Sequence, residues 1–294
     1  MAEHNTLLLS SNPDAYSRSF QSFLAATQQE NAILKCIQQH IVPLINKGIS
    51  ELLEPFRVLS VGSGEGENDI NILKALCNIR RVEGEGISMI NRVIEPDVAR
   101  LATFREKAEK TPAIVDFEWV PMTFQEYMSQ KKANDVKFDV IHFIHSIYYV
   151  EVEDALLHCY ENELGRKGIL LTISHGEDDP MLKFAEKFPD QRVASFPRNR
   201  DAVAVASERG WKYLVCPGDS NNLDITTIFD RFSREGNYLL DFLSNRMDVR
   251  QNEEKESVEK ILKFWEEQSF INEHGRRIVE LRDNAVIILK GFGH

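Results

Sequence analysis

The sequence predicts an α/β fold with a mostly parallel central sheet, and three features of the chain support this. Short β-type runs alternate with amphipathic helical segments from residue 56 to residue 174. The first run ends in the glycine-rich turn "GSGEGEND", and a last apolar run, "NAVIILKG", lies near the end of the chain. Strands that alternate with helices form right-handed βαβ units, which set parallel strands side by side.

The segment ahead of the first strand has the periodicity of a helix. Tyr16, Phe20, Phe23 and Leu24 recur at helical spacing within residues 14–47, and "SNPD" supplies start signals before them. The spacing is compatible with one helix or with two. We therefore expect an N-terminal helical segment.

Seven strands are predicted in all. The first five are "FRVLSVG", "INRVIEP", "VDFEWV", "KFDVIHFIHS" and "RKGILLTIS". The helical segments between them are "NDINILKALCNI", "DVARLATFREKAEK", "FQEYMSQKKA" and "VEDALLHCYENEL". The sixth strand, "WKYLVCPG", follows two short helices, and "NAVIILKG" is the seventh.

The strand–helix rhythm changes after Ser174. Residues 175–200 and 219–270 are mostly helical and interrupt the remaining strands, so we interpret them as insertions that form a substrate-binding cap. No linker rich in Pro, Gly or Ser separates them from the rest. We therefore expect one domain over residues 1–294.

Composition excludes several classes of function. The chain has 35 Lys and Arg against 46 Asp and Glu, a formal net charge of -11 that disfavours nucleic acid and anionic membranes as partners. The N-terminal three-Leu run is too short for a signal peptide, and no stretch has the length of a membrane span. The 4 cysteines form no CxxC motif. We expect a cytoplasmic monomer.

The glycine-rich turn indicates a nucleotide-type site. Gly62, Gly64 and Gly66 allow close approach of a ligand to the backbone, beside the N–H groups that open the next helix. A dinucleotide fingerprint would have glycine where Glu67 stands, and two glutamates in the turn disfavour a pyrophosphate. A nicotinamide-dependent oxidoreductase is the alternative that this turn disfavours.

The second strand ends in Glu95, a carboxylate suited to ribose hydroxyls. It follows the glycine turn at a longer interval than in a compact nucleotide-binding unit, and we attribute the excess to a loop at 80–89. Strand, turn, helix, strand and terminal acid together favour a nucleotide-type site over a plain turn.

Several segments in order carry a closer resemblance: "YSRSFQSFL", "VLSVGSGEGENDI", "VIEP", "FDVIHFIHSIYYV" and "KFPD". Together they resemble the histamine N-methyltransferase family of class I S-adenosylmethionine-dependent methyltransferases, nearly from end to end. The resemblance implies a Rossmann-like fold, S-adenosyl-L-methionine as cofactor, and in-line transfer of its methyl group to an imidazole ring nitrogen of a small amine. Such transfer asks for positioning of a neutral nitrogen and exclusion of water, so no catalytic acid or base is expected.

The resemblance also implies the cofactor-binding residues. The turn after the first strand contributes backbone groups, and Glu95 takes the ribose. Arg100 stands where the family has Gln, and Phe124 stands where it has Ser, with Thr123 beside it, so the chain departs from the family's pattern here. The full expected set is Gly62, Ser63, Gly64, Gly66, Glu95, Arg100, Thr123, Phe124 and Ile144.

For the substrate, the resemblance implies an aromatic box, and its members are present in this chain. Aromatic faces suit an amine cation and an imidazole ring. The expected residues are Tyr16, Phe20, Tyr148, Tyr149, Phe184, Phe188 and Phe242.

The polar substrate anchors differ from the family. Gln29 replaces its Glu, although Glu30 is adjacent, and His145 replaces its Gln. Asp283 replaces its Asn, unless Asn284 does so in a register one residue later. We hypothesise that the carboxylate lost at position 29 reappears at Asp283, so that His145 and Asp283 position the substrate.

Two further readings stay open. The substrate can be another arylalkylamine or imidazole compound, because the anchors have changed, or the chain can be a non-catalytic relative that binds the cofactor. A metal site is not expected from His142 and His145, because residues three apart on a strand face opposite sides of the sheet.

Overall fold

The computed structural model describes residues 8–48, 55–81, 88–110, 115–130, 136–189 and 199–291. Most of the loop predicted at 80–89 lies outside these residues, as does Asp190 at the end of "KFPD". The described part has the α/β architecture that the sequence predicts. No described helix is long and apolar enough to cross a membrane.

The N-terminal segment is helical, but it is divided. A break at Thr27 and Gln28 separates the first two helices, and a π-helical turn at Ile37–Ile41 precedes the third. The α-helices of the described chain are α1 (Pro13–Ala26), α2 (Gln29–Cys36), α3 (Val42–Gly48), α4 (Glu67–Arg81), α5 (Val98–Ala108), α6 (Phe124–Gln130), α7 (Val152–His158), α8 (Pro180–Lys187), α9 (Asn199–Glu208), α10 (Arg234–Ser244), α11 (Val249–Asn252) and α12 (Lys255–Glu267).

All seven predicted strands are present, with one short strand in addition. They are β1 (Phe56–Val61), β2 (Met89–Ile94), β3 (Val115–Val120), β4 (Phe138–Ile144), β5 (Leu164–His175), β6 (Lys212–Asp224), β7 (Ser269–Ile271) and β8 (Arg277–Lys290). The additional β7 has only three residues, which is too short for a periodic signal. The strand order is β3-β2-β1-β4-β5-β8-β6, and β7 pairs with β8.

Strands β1 to β5 pair in parallel, whereas β8 is antiparallel to β5. The chain divides into two compact units. The sheet unit comprises Ile33–Gly176, Ser195–Asp219 and Asp283–His294, and the helical unit comprises Met1–Ala32, Glu177–Ala194 and Ser220–Arg282. The prediction of one domain with cap insertions stays a prediction.

The core of the sheet unit follows from the period of two along its strands. Val58 and Val140 pack on one face among residues of α2 to α4, whereas Leu59 and Ile141 pack on the other face against α7 and α9. All four of these side chains are buried. Both faces of the parallel strands are therefore covered, and ligand-binding groups are confined to the strand ends.

The helical unit has its own apolar core. Leu240, Ile261 and Trp265 are completely buried where α10 and α12 meet. Phe23 of α1 and Phe184 of α8 pack into the same cluster. Two of these helices have conventional starts, because Asn12 and Asp179 accept backbone hydrogen bonds at the first turns of α1 and α8.

Candidate active site

The turn between β1 and α4 has a backbone that requires glycine at three alternate positions. Gly62, Gly64 and Gly66 have φ of 69°, 57° and 82°, a region that side-chain-bearing residues rarely adopt. The N–H of Gly62 donates to the carbonyl of Ile94 at 2.8 Å, which fixes the turn to the end of β2. The turn is thus held in one shape at the carboxyl edge of the sheet.

Two of these glycines are also required by packing. A Cβ at Gly62 would lie 2.5 Å from Cβ of Ser146, and one at Gly66 would lie 2.1 Å from the Phe104 ring. Among the described residues, no atom lies within 4 Å of a Cβ built at Gly64. Gly64 is therefore the glycine whose open side can receive a ligand.

Glu95 lies directly against this turn. Its Oε2 accepts the N–H of Gly64 at 2.7 Å, and its Oε1 accepts the N–H of Asp97 at 2.9 Å. Burial raises the pKa of the Glu95 carboxyl, and these two hydrogen bonds and the Arg100 charge oppose the rise. The carboxylate that the sequence assigns to ribose and the glycine turn therefore form one structure.

The acidic character of the turn is compensated by a lysine that sequence reasoning missed. Lys107 of α5 is 3.2 Å from Glu65 and also contacts Glu67. Burial lowers the pKa of Lys107. The hydrogen bonds and charges of the two glutamates raise this pKa by more than burial lowers it, so the net shift is upward. Because Lys107 offsets their charge, the two glutamates disfavour a phosphate less strongly than the sequence alone suggests.

A buried polar network supports the turn from below. Ser63 Oγ donates to Asp69 Oδ1 at 3.1 Å, and Asp69 lies 3.6 Å from Nε2 of His142. Ser60 Oγ donates to Asn91 Oδ1 at 2.8 Å, so it accepts the contact from His142 Nε2, also 2.8 Å long. The network connects the ligand turn to β1, β2, β4 and α4.

Burial disfavours the charged forms of Asp69 and His142, the two titratable residues of this network. It raises the pKa of Asp69 and lowers the pKa of His142, and in each case the charge of the other residue acts in the opposite direction. His142 thus belongs to the internal network beneath the turn, whereas the nearby His145 contacts Asp283.

The remaining expected cofactor residues have structural partners within the sheet unit. Arg100 lies 3.6 Å from Asp97, which caps α5. Thr123 forms a reciprocal cap with Glu126 at the start of α6. Phe124 is buried against Phe143 and Tyr127.

Ile144 is buried in the core of the sheet unit at the end of β4. The side chains of Phe124 and Ile144 thus contribute to the core, and their role toward a cofactor stays a prediction, as do those of Arg100 and Thr123.

Two of the changed anchors contact each other. His145 follows β4, and its Nε2 lies 3.0 Å from Oδ2 of Asp283 on β8. His145 has a φ of 50°, uncommon for a residue with a side chain, and its N–H donates to the carbonyl of Ile173 at 2.9 Å. The contact brings together residues that are 138 positions apart.

His175, which sequence reasoning did not consider, completes this group. It ends β5 and is the direct cross-strand partner of Asp283, with its Nδ1 3.5 Å from Oδ1 of Asp283. The rings of His145 and His175 are 5.1 Å apart at 62°. The sequence did contain a signal for His175. It stands at the end of a predicted strand, in "LLTISH", and His145 also stands at a strand end.

The other three residues considered as polar anchors have different surroundings. Asn284, the alternative to Asp283, accepts a 2.6 Å hydrogen bond at its carbonyl from Asn199. In the helical unit, Gln29 begins α2 and is buried, and its N–H donates to Thr27 Oγ1 at 3.2 Å. Glu30 follows it in the first turn and is half-buried.

The expected aromatic residues of the helical unit form two stacked groups. Phe242 of α10 has its ring 4.6 Å from that of Phe23, with Tyr16 and Phe20 of α1 also around it. In the second group, the Phe184 ring lies 4.7 Å from that of Phe188, and both pack on Phe264. Phe184 is buried and the other four expected residues are half-buried.

Tyr148 and Tyr149 belong to the sheet unit, in a short 3-10 turn after β4. Their rings are 4.7 Å apart, at 61° to each other. Tyr149 is 63% exposed whereas Tyr148 is half-buried, so of the two Tyr148 has the surroundings of a binding residue. Substrate roles for all seven aromatic residues stay predictions.

Comparisons with known proteins agree with this arrangement. No protein-family model matches the chain. Histamine N-methyltransferase of Mus musculus is 26% identical over 271 residues, covering 89% of this chain and 90% of that protein. The Xenopus tropicalis enzyme is 28% identical, covering 86% and 87%. Carnosine N-methyltransferase 2 of Gallus gallus is 28% identical, covering 79% and 72%.

Solved structures share the fold at lower identity. The YcgJ protein from Bacillus subtilis superposes with a TM-score of 0.52 at 14% identity, covering 87% of this chain and 100% of that one. The plantazolicin methyltransferase BpumL, in complex with a pentazolic desmethylPZN analog and SAH, has a TM-score of 0.50 at 12% identity, covering 96% of this chain and 93% of that one. The chain has the class I methyltransferase fold and is similar, over most of its length, to the histamine N-methyltransferases.

Proposed function

We propose that this protein is an S-adenosylmethionine-dependent N-methyltransferase that acts on a small amine, with histamine as the first candidate substrate. The observation that carries the proposal is the contact of Glu95 with the glycine turn, 2.7 Å from its Oε2 to the N–H of Gly64. This turn offers a carboxylate and backbone groups to a ligand, and its one described lysine partner is engaged by two glutamates. Such a set suits a zwitterionic ligand with a ribose better than a polyphosphate.

The end of β4 supports an amine as the methyl acceptor. Asp283 is buried, with only 6% of its side chain exposed, and it lies between His145 and His175. A buried carboxylate forms charge-assisted hydrogen bonds to an ammonium group, and two imidazoles can accept or donate beside it. Asp283 therefore supplies the carboxylate that Gln29 lacks.

In this proposal the bound cofactor supplies an electrophilic methyl group, and the residues of the chain only position the acceptor. A neutral imidazole nitrogen is already a nucleophile, so no residue has to remove a proton before transfer. Asp283 holds the ammonium tail and His145 orients it, which fixes the direction of the ring. Placement of this kind converts a bimolecular reaction into an effectively unimolecular one.

A second candidate is an imidazole compound other than histamine. The similarity to carnosine N-methyltransferase 2 is as strong in identity as the similarity to the frog histamine enzyme. His145 and Asp283, which depart from the histamine family, favour a change of substrate. Both candidates keep the same cofactor and the same transfer.

The decisive experiment measures methyl transfer from labelled S-adenosylmethionine to histamine, carnosine, tryptamines and phenethylamines. Preferential labelling of histamine supports the first proposal, and preferential labelling of another imidazole supports the second. Cofactor binding without transfer to any of these compounds would contradict both. Binding of NAD in preference to S-adenosylmethionine would contradict the methyltransferase assignment itself.

Asp283→Asn tests the amine anchor. Loss of a charge-assisted hydrogen bond to the ammonium costs about 1.5–3 kcal/mol, so we expect KM for the preferred amine to rise at least about tenfold. Steady-state kinetics measure this change, and Asp116→Asn, which alters an exposed carboxylate on β3, is the matched control. An unchanged KM and turnover in Asp283→Asn would remove Asp283 from the substrate site.

A further inference from the structure

The end of the sheet unit where β4, β5 and β8 lie side by side presents two histidines and one aspartate. His145, His175 and Asp283 each offer one ligand atom, and these atoms all lie within 4.8 Å of one another. We propose that this group, which we call the HHD cluster, binds a divalent transition-metal cation such as Zn²⁺. Binding of a metal cation at this site is a property separate from methyl transfer.

The distances within the HHD cluster suit such a cation. Zinc binds imidazole nitrogen and carboxylate oxygen at about 2.0–2.2 Å, so two ligand atoms on a tetrahedral ion are about 3.3 Å apart. The observed distances are of this size: His145 Nε2 lies 3.0 Å from Oδ2 of Asp283, and His175 Nδ1 lies 3.5 Å from Oδ1, the other oxygen of the same carboxylate. We expect rotations of these side chains to bring one atom of each into coordination range when the cation binds.

The backbone positions the three ligands rigidly. His175 and Asp283 are cross-strand partners in the β5–β8 ladder, and His145 is joined to β5 through its N–H at 2.9 Å from the Ile173 carbonyl. Gly218 on β6 packs so closely that a Cβ there would lie 2.5 Å from the carbonyl oxygen of Asp283. Ligands on adjacent strands are held more precisely than ligands on loops.

The donor set decides which cation fits. Two imidazole nitrogens select zinc, cobalt or nickel over magnesium and calcium, which prefer oxygen ligands. Two neutral imidazoles and one carboxylate leave a net positive charge on a bound divalent ion, and three protein ligands leave a fourth coordination position. That position can take water.

A consequence follows that rests on the proposed function. If Asp283 holds the substrate ammonium, a cation on the same carboxylate competes with the amine. We expect Zn²⁺ to raise KM for the amine, with little effect on the KM for S-adenosylmethionine.

The test is a direct titration that does not require turnover. Tag-free protein, treated with a chelator and dialysed, is titrated with Zn²⁺ or Co²⁺ by calorimetry, and Co²⁺ is also followed by its visible absorption. We expect one equivalent to bind with the absorption of a four- or five-coordinate ion, and Mg²⁺ not to bind at the same concentration. Absence of saturable Zn²⁺ and Co²⁺ binding would overturn the proposal.

Variants assign the binding to the HHD cluster. His175→Asn and Asp283→Asn are each expected to weaken Zn²⁺ binding by more than about 100-fold. His274→Asn is the control, because His274 lies 3.5 Å from Glu273 in an exposed turn and forms a similar histidine–carboxylate pair outside the cluster. Wild-type affinity in His175→Asn would overturn the assignment.

Thermal unfolding with chelator confirms that each variant is folded, and Zn²⁺ should raise Tm of the wild type but not of His175→Asn. The titration and the methyl-transfer assay are separate measurements. Zinc binding without transfer to any amine would contradict the proposed function and leave the metal site standing. Methyl transfer without zinc binding would contradict the metal site and leave the proposed function standing.

Discussion

Gly62 and Gly66 are required by their backbone conformation and by what packs against them. Both have positive φ, and a side chain at either position would collide with Ser146 or Phe104. A residue that satisfies two independent constraints tolerates substitution less than one that satisfies a single constraint. The turn that contacts Glu95 is therefore sensitive to the smallest possible change, the addition of one methyl group.

Gly66→Ala and Gly210→Ala separate these two constraints. Gly210 has a φ of 65°, and among the described residues no atom lies within 4 Å of a Cβ built there, so it reports the backbone cost of about 1–2 kcal/mol alone. Gly66→Ala adds a collision with the buried Phe104 ring, and we expect a further loss of about 1–3 kcal/mol. Urea unfolding measures both losses, and equal values would contradict the packing constraint.

His145 and Asp283 show how two departures from a family can be one change. The resemblance implies an uncharged amide at each of these two positions, and the two side chains lie 3.0 Å apart. In this chain the pair places an imidazole and a carboxylate in hydrogen-bond contact at the sheet edge. A variant of either residue alone therefore changes the surroundings of the other, and the two substitutions should be tested together in a double-mutant cycle.

At the scale of elements, Lys107 connects helix α5 to the glycine turn. Its ammonium contacts Glu65 in the turn and Glu67 at the start of α4, and its side chain is 28% exposed. Pairs of this kind, partly shielded from water and sharing one cation, contribute more than a single surface pair does. The pairing also keeps two glutamates from repelling each other beside the ligand.

Lys107→Gln should lower the unfolding free energy by about 1 kcal/mol at low ionic strength. The loss should shrink in about 1 M NaCl, because salt screens partly exposed charges. Chemical denaturation at two salt concentrations measures this, with Lys110→Gln, an exposed lysine just beyond the same helix, as control. A loss that does not depend on salt would show that Lys107 acts through packing.

The junction of α10 and α11 depends on one buried carboxylate. Asp241 accepts the N–H of Asp248 at 3.0 Å and the N–H of Val249 at 2.9 Å, and Asp248 has a positive φ. Burial raises the pKa of Asp241 to about 6, although both hydrogen bonds oppose the rise. The folded protein thus binds a proton at this site more tightly than the unfolded chain does.

This raised pKa gives a signed prediction. Between the ordinary carboxyl pKa of 3.8 and about 6, the contribution of Asp241 to stability falls as pH rises, by up to about 1.4 kcal/mol per pH unit. Asp241→Asn should remove this slope, and Asp116→Asn, which alters an exposed carboxylate on β3, should keep it. Unfolding free energies at about pH 4.5, 5.5 and 6.5 measure the slope; equal slopes in wild type and Asp241→Asn would contradict the assignment.

At the scale of the whole molecule, the sheet unit is covered by apolar side chains on both faces of its strands, and it encloses a buried polar network beneath the glycine turn. That network joins Ser60, Asn91, Asp69 and His142, all of them buried. A buried histidine that stays neutral makes folding dependent on pH, because the unfolded chain takes up a proton more readily.

We expect His142 to make the protein less stable below the ordinary histidine pKa. Its pKa is lowered in the folded state by burial, so stability is full above about pH 6.5 and falls as pH decreases below that value. His142→Asn should flatten the fall between about pH 7.5 and 5.5, and His274→Asn should not. Chemical denaturation across this pH range measures the fall in stability. If stability falls equally in wild type and His142→Asn, His142 is not the cause of the fall.

Much of this molecule could be predicted from local signals in the sequence. The period of two in β1 and β4, the period of helices between strands and the spacing of Gly62, Gly64 and Gly66 depend on residues close together in the chain. These signals predicted all seven main strands and the position of Glu95 at the end of β2. They missed β7, which is three residues long, and they made two strands too short: β6 runs on to Asp224, into the segment expected to be cap, and β8 already begins at Arg277.

The chain alone determined the α/β fold and the glycine turn, because steric limits on φ and the burial of periodic apolar residues act over short stretches of sequence. Only the tertiary structure decided that Lys107 pairs with Glu65 and Glu67, and that His145 and His175 meet Asp283. Lys107 lies 40 positions from Glu67, and His145 lies 138 positions from Asp283. Their proximity results from strand order and register, which no local pattern encodes.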